Sequence, residues 1–124
     1  METGAAPSGH TLDKTAERIG KNDATFRDAN ERIQRAARDI GVEPVPFICE
    51  CADPACTELV RLGLDEYEDV RADSRHFLNA PGHEVNAEGY ARLVSQHDGY
   101  VVVEKLGDAA KIAEELDPRE EVAR

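Results

Sequence analysis

Three cysteines lie close together at Cys49, Cys51 and Cys56, with the spacing Cys-x-Cys-x4-Cys. Residues two apart in an extended segment point to the same side of it, so Cys49 and Cys51 can present their sulfurs together. Asp53 and Pro54 favour a turn, which would bring Cys56 back toward the other two. Thiolates grouped in this way suit zinc, which takes four ligands in a tetrahedron. The sequence therefore predicts a zinc site on this cysteine turn, residues 49–56.

A histidine is the simplest fourth ligand for such a site, and the chain has four. His83 is favoured because it directly follows the turn-forming residues 81–82, which would hold the ring in place. His97, which borders a second turn, is the next candidate, and His76 is the third. His10 is set aside because it falls in the small, polar start of the chain. The predicted metal ligands are therefore Cys49, Cys51, Cys56 and His83.

The cysteine turn also leaves other chemistry open. Four protein ligands would make the site structural, whereas three thiolates and a water would make it catalytic. Glu50 and Glu84 are the nearby carboxylates that can orient the ligands in the first case or act as general base in the second. Without a metal, two of the thiols can pair on oxidation, as in a redox sensor, or all three are inert. No other catalytic motif is found, so no catalytic residue is predicted.

The composition limits the partners and the core. The chain has 124 residues, with 26 acidic against 15 basic and a net charge of −11. Non-specific nucleic-acid binding depends on clustered Lys and Arg, so DNA and RNA are not expected partners. With only 5% aromatic residues, the core is expected to be small, and a metal would help to stabilise it. The sequence shows neither a membrane-spanning run nor a signal-peptide pattern, which predicts a cytoplasmic protein with reduced thiols.

The pattern of residues 1–41 predicts a tail followed by a helix. Residues 1–21 are expected to be a disordered tail, in which Gly20 stops any nascent helix. Residues 22–41 predict an amphipathic helix, centred on 23–40, because apolar residues recur at spacings of three and four and Gly41 can end it. Its apolar face either packs on the same domain or mediates self-association or binding of a protein partner. That face comprises Phe26, Ala29, Ile33, Ala36, Ala37 and Ile40.

Residues 42–118 predict a single zinc-stabilised α+β domain, followed by a frayed end over residues 119–124. We expect a small, mostly antiparallel sheet with helices packed on it. The metal would tie the cysteine turn to the segment 75–97. The expected elements are a strand at 47–49, a helix at 64–72, a strand at 75–80, a hairpin at 90–105 turned at Asp98-Gly99, and a helix at 108–116.

Five segments form a distinctive set: FRDANERI (26–33), PFICEC through Cys56 (46–56), LDEYEDVR (64–71), FLNAPGHE with its PGHE motif (77–84) and HDGYVVVEK (97–105). Together they resemble a family of small uncharacterised proteins that is widespread in actinobacteria. The resemblance implies a regulatory or accessory role, because such relatives sometimes occur beside signalling domains. It also places His83 and His97 inside shared motifs together with the cysteines. The chain departs from the family pattern at residues 86–89.

Overall fold

The structure is a computed structural model that describes residues 14–119. The predictions for residues 1–13, His10 among them, and for residues 120–124 lie outside the described residues. The predicted α+β class is confirmed. The helices are α1 (Lys14–Ile40), α2 (Leu64–Arg71) and α3 (Gly107–Glu115), with a 3₁₀ helix at His83–Ala87; the strands are β1 (Val45–Ile48), β2 (Leu59–Leu62), β3 (His76–Asn79), β4 (Ala91–His97) and β5 (Tyr100–Lys105).

The strands form two antiparallel sheets where a single sheet was expected. β1 pairs with β2, and the second sheet has the order β3-β5-β4. The sequence prediction omitted β2, although its residues alternate between exposed and buried as a half-buried strand does. The chain just beyond β1 connects the two sheets, because the Glu50 N–H donates to the Leu78 carbonyl of β3 at 2.7 Å. The cysteine turn therefore lies where the two sheets meet.

Other elements lie where the sequence predicts them, give or take the last residue or two. The hairpin of β4 and β5 turns at Asp98-Gly99, and Gly99 has the positive φ of 85° that favours glycine at such a turn. α2 and α3 agree with the predicted helices at 64–72 and 108–116. Local turn chemistry and helical spacing were sufficient to place these elements.

Helix α1 begins at Lys14, nine residues before the predicted start at Asp23. The expected tail is therefore helical over residues 14–21. Gly20 lies inside the helix, at the point where α1 packs very closely on α3. A Cβ at Gly20 would come within 2.8 Å of the Ile112 side chain. This glycine therefore permits a close helix contact, and it does not end a helix.

Five of the ten buried residues of α1 are polar, which the apolar pattern did not predict. Of the predicted stripe, Phe26 and Ile33 are half-buried, and Ile40 at the end of the helix is 73% exposed. Each buried polar side chain has a partner on another element. Asn30, for example, bonds both the N–H and the carbonyl of Ile48 at 2.8 Å, as a neighbouring strand would. The buried polar residues of α1 are Asp23, Arg27, Asn30, Glu31 and Gln34.

A network of charges joins α1 to α2 and to the segment after α3. Arg71 binds Asp117 at 2.5 Å and Glu31 at 3.1 Å. Arg119 also binds Glu31, at 2.6 Å, and Glu68 at 2.8 Å. Burial by itself would raise the pKa values of Glu31 and Asp117, but the hydrogen bonds from these arginines lower both pKa values below their usual range. These carboxylates therefore remain ionised as part of the fold.

The apolar core of the first sheet surrounds Phe47, whose ring stacks on Tyr67 of α2 with centroids 4.2 Å apart. Cys49 and Cys51 belong to the same buried cluster. Within residues 14–119, no helix combines the length and the apolar character needed to cross a membrane.

Candidate metal centre

The structure brings together all four predicted ligands. One ligand atom from each of Cys49, Cys51, Cys56 and His83 lies within 4.8 Å of every other, close enough to hold a metal ion. Cys49 and Cys51 are buried, whereas Cys56 and His83 are partly exposed. The group thus lies at the edge of the core, with one side toward solvent.

The distances fit a tetrahedral metal ion. Nδ1 of His83 is 3.6 Å from Sγ of Cys49 and 3.5 Å from Sγ of Cys56. In a tetrahedral zinc site, with Zn–S of about 2.3 Å and Zn–N of about 2.0–2.1 Å, adjacent sulfur and nitrogen ligands are about 3.5 Å apart. Nδ1 of His83 therefore lies at the distances from the Cys49 and Cys56 sulfurs that a tetrahedral zinc site requires.

Local backbone geometry accounts for the position of each cysteine. Cys49 continues the β1–β2 ladder, since its N–H donates to the Glu58 carbonyl at 3.0 Å. The chain then turns at Asp53, whose side chain accepts from Ala55 at 2.9 Å and whose carbonyl accepts from the Cys56 N–H at 3.0 Å. This Asx turn returns Cys56 toward the first two sulfurs, as the sequence predicted.

His83 is held by a second tight turn. Its N–H donates to the Ala80 carbonyl at 3.0 Å, and Gly82 has a φ of 89°, which strongly favours glycine. The Glu84 carboxylate accepts from the Gly82 N–H at 2.9 Å. Glu84 therefore stabilises the turn that carries the histidine, and neither orienting the ligands directly nor acting as base is needed to explain its position.

N–H donors point at the sulfurs. The Ala80 backbone N–H is 3.2 Å from Sγ of Cys49, and the Asn86 side-chain amide is 3.5 Å from Sγ of Cys51. A backbone hydrogen bond from Glu58 to Cys56 favours the ionised form of that thiol. Such donors stabilise thiolate charge and orient metal ligands. Sequence reasoning missed Asn86 because nothing in its local pattern indicates a contact with a cysteine 35 residues earlier.

Burial and the neighbouring thiols favour the protonated forms of Cys49 and Cys56 when no cation balances their charge. Burial, first, and then the other two cysteines raise the pKa of Cys49, while the Ala80 N–H opposes that shift. Burial likewise raises the pKa of Cys56. A metal ion binds thiolates, so its binding must release protons and must weaken as the pH falls.

Glu50 belongs to the core beside the site, and its carboxylate is bonded to β3 and α1. Its carboxylate is fully buried and accepts from the Leu78 N–H at 2.9 Å and from the Asn30 amide at 2.7 Å. Burial raises the pKa of Glu50 to about 7, and these two hydrogen bonds limit the increase. The residue therefore fixes β3 and α1 against the cysteine turn, in place of the predicted role of ligand acceptor or base.

The two alternative histidines lie elsewhere. The His97 ring is exposed on the hairpin and stacks on Tyr100 with centroids 4.5 Å apart. His76 lies beside Asp73 and Glu104, a second group with ligand atoms within 4.8 Å of one another. There, Glu104 already binds Arg92 at 2.7 Å and Arg75 at 3.2 Å, so a metal would have to displace two guanidinium groups. The cysteine turn is the better metal site.

Comparison with known proteins gives no further constraint on this site. No family model, curated protein or solved structure matches the chain. The geometry of the four side chains and the contacts around them are therefore what indicates a function.

Proposed function

We propose that this chain is a small zinc-binding protein in which Cys49, Cys51, Cys56 and His83 form a structural site. The observation that carries the proposal is the pair of sulfur–nitrogen separations at His83, 3.5 and 3.6 Å, which are those of a tetrahedral zinc ion. Three thiolates and one imidazole make a soft ligand set, which favours zinc over magnesium or calcium.

The ligand set supports a structural role over a catalytic one. Four protein ligands fill a tetrahedral site, whereas a catalytic zinc keeps one position for water or substrate. The two carboxylates nearest in sequence, Glu50 and Glu84, are bonded to Leu78 and Gly82. The centre is suited to fastening the cysteine turn to the segment 80–83, and we propose that the resulting domain is a regulatory or protein-interaction module.

Zinc titration of purified, reduced protein tests the ligand set, with two histidine variants as a matched pair. We expect wild type to bind one zinc per chain. We expect His83→Ala to weaken zinc binding at least about 100-fold, because a ligand is lost. His97→Ala removes an exposed ring that lies outside the cluster, so its zinc affinity should equal that of wild type.

Two results would contradict this proposal. One is a reduced wild-type protein that fails to bind stoichiometric zinc at pH 7.5. The other is a His83→Ala variant with wild-type affinity, which would mean that the imidazole is no ligand. A competition assay with a chromophoric chelator of known affinity gives the dissociation constants for all three proteins.

We propose α1 as the surface for self-association or for a protein partner. Ile40 is 73% exposed, and Phe26 and Ile33 on the same stripe are half-buried, so part of the predicted apolar face remains accessible. We expect the mass measured by light scattering to rise with concentration and Ile40→Lys to reduce that rise. A mass that remains at one chain at every concentration would exclude self-association.

The membership of the actinobacterial family and the cytoplasmic location stay predictions. The odd number of cysteines supports a reducing compartment, because a closed disulfide framework uses an even number.

A further inference from the structure

The three cysteines differ in their access to solvent. Cys49 and Cys51 are fully buried, whereas Cys56 is partly exposed and follows three exposed residues, 53–55. A small polar oxidant from solvent therefore meets Cys56 first. Thiolate character and exposure together determine which cysteine is oxidised.

The cysteines also differ in how firmly they are held. Cys49 extends the β1–β2 ladder and accepts the Ala80 N–H. The Cys51 carbonyl accepts from Asn22 of α1 at 3.1 Å, which anchors this residue to the helix. Cys56 is carried by the surface Asx turn of Asp53. Of the three cysteines, Cys56 is thus the one whose backbone can shift and bring its sulfur toward the sulfur of Cys49 or Cys51.

From this asymmetry we propose that Cys56 is the site at which a peroxide oxidises the cluster and releases its metal. The proposal rests on the proposed function, since it requires zinc bound by the four side chains. Oxidation joins Cys56 to Cys49 or Cys51, whose Sγ atoms lie within 4.8 Å of its own. A disulfide needs an S–S distance of about 2.05 Å, which a modest shift of the turn provides once Cys56 has been oxidised and no longer binds the metal as a thiolate.

The reaction balances with hydrogen peroxide as the oxidant. The Cys56 thiolate attacks one peroxide oxygen, the O–O bond breaks, and hydroxide leaves and takes up a proton to become water. The resulting sulfenic acid is then attacked by the thiolate of a buried cysteine, so the S–S bond forms, the S–O bond breaks and a second water results. In sum, two thiolates, one peroxide and two protons give one disulfide and two waters. The disulfide sulfurs are no longer thiolate ligands, so zinc leaves as the aqueous ion.

Release of the metal removes one of the links between the cysteine turn and the segment 80–83. His83 and the segment 80–83 are joined to the cysteine turn through the metal, so oxidised protein loses that connection. Oxidation by peroxide would therefore break the connection that the metal makes between the cysteine turn and the segment 80–83. Reduction of the disulfide in the presence of zinc would restore that connection.

Zinc-loaded protein treated with excess peroxide, with a metallochromic dye present, tests the proposal. We expect one zinc per chain to be released, dithiothreitol with zinc to restore binding, and peptide mapping to find Cys56 in the disulfide. Cys56→His keeps a fourth zinc ligand but removes the accessible thiol, and it should release zinc at least ten-fold more slowly. A dimedone trap on wild type should label Cys56 before the buried cysteines, which tests the same point without any variant.

Three results would overturn the proposal. In the first, zinc stays bound to the folded protein at a peroxide concentration that oxidises the thiols of unfolded protein. In the second, the disulfide joins Cys49 to Cys51. In the third, dimedone labels a buried cysteine before Cys56. The zinc content before peroxide is added reports separately on the proposed function. Protein that holds no zinc at the start contradicts both proposals, whereas zinc that is bound but resists peroxide contradicts this one alone.

Discussion

Removing zinc from the reduced protein is expected to unfold the region around the cysteine turn, and to lower the melting temperature by tens of degrees. Structural zinc contributes on the order of 10 kcal/mol to the folding of small metal domains. The whole stability of a domain this size is about 5–15 kcal/mol, so a bound zinc ion would account for a large share of it.

The physical reason lies in what the four ligands connect. They hold the end of β1, the turn at residues 51–56 and the turn at residues 80–83 in one place. Without a cation, burial and the two neighbouring cysteines raise the pKa of Cys49, so this sulfur stays a neutral thiol with no strong attraction for the other ligands. The contacts of Phe47 and Leu78 remain, but the strongest connection between the cysteine turn and the His83 turn is lost.

Circular dichroism melts with and without a strong zinc chelator, under a reducing agent, measure this effect. The control is the same chelator saturated with zinc, which should leave the melting temperature unchanged. The His83→Ala variant should respond much less to chelator, since it holds little zinc to lose. Equal melting of loaded and zinc-free wild type would show that the metal does not support the fold.

The site was more predictable from the sequence than the helix that packs beside it. Cys49, Cys51 and Cys56 are close in sequence and follow local turn rules, and His83 follows a turn of its own. The sequence could only rank the three histidines, because the distance between a histidine ring and the cysteine turn depends on the tertiary structure. The structure places His83 beside the cysteines, with its Nδ1 at 3.5 Å from Sγ of Cys56 and 3.6 Å from Sγ of Cys49.

Helix α1 shows why the remainder could not be predicted. The helical period was correct, but the buried face was assigned to apolar residues, as amphipathic patterns normally indicate. Arg27 is fully buried because it donates to the Ser74 carbonyl at 2.6 Å and to the Ala113 carbonyl at 2.8 Å. Those acceptors are 47 and 86 residues away, and no local rule identifies them. The prediction that Gly20 ends a helix was wrong for a related reason. A glycine is required there because the Ile112 side chain of α3 leaves no room for a Cβ.

The same helix contributes to a buried ion pair. Removing one charge of this pair is expected to have a large effect on the free energy of unfolding. Lys105 of β5 and Asp23 of α1 are in direct contact, and both side chains are 0% exposed. The Lys105 ammonium also lies 5.2 Å from the centre of the Phe77 ring, whose quadrupole favours a cation. Asp23 has one further donor, the Asn22 amide at 3.1 Å.

Lys105→Met is expected to destabilise the protein by about 3–5 kcal/mol, because it leaves the Asp23 carboxylate buried without its cation. Lys111→Met, on the exposed face of α3, is the matched control and should change stability by less than about 0.5 kcal/mol. Combining Lys105→Met with Asp23→Asn leaves neither charge of the pair, so the double variant should recover most of the loss.

The loss in Lys105→Met should also depend on pH. Burial raises the pKa of Asp23 even with Lys105 beside it, and removing the ammonium raises that pKa further. The folded variant then keeps a proton that the unfolded chain releases above its ordinary pKa of 3.8, so its stability falls as the pH rises. Urea unfolding at saturating zinc, at pH 5 and pH 8, measures the difference from wild type at each pH. We expect the larger difference at pH 8, and an equal difference at both would mean that Asp23 does not titrate in the variant.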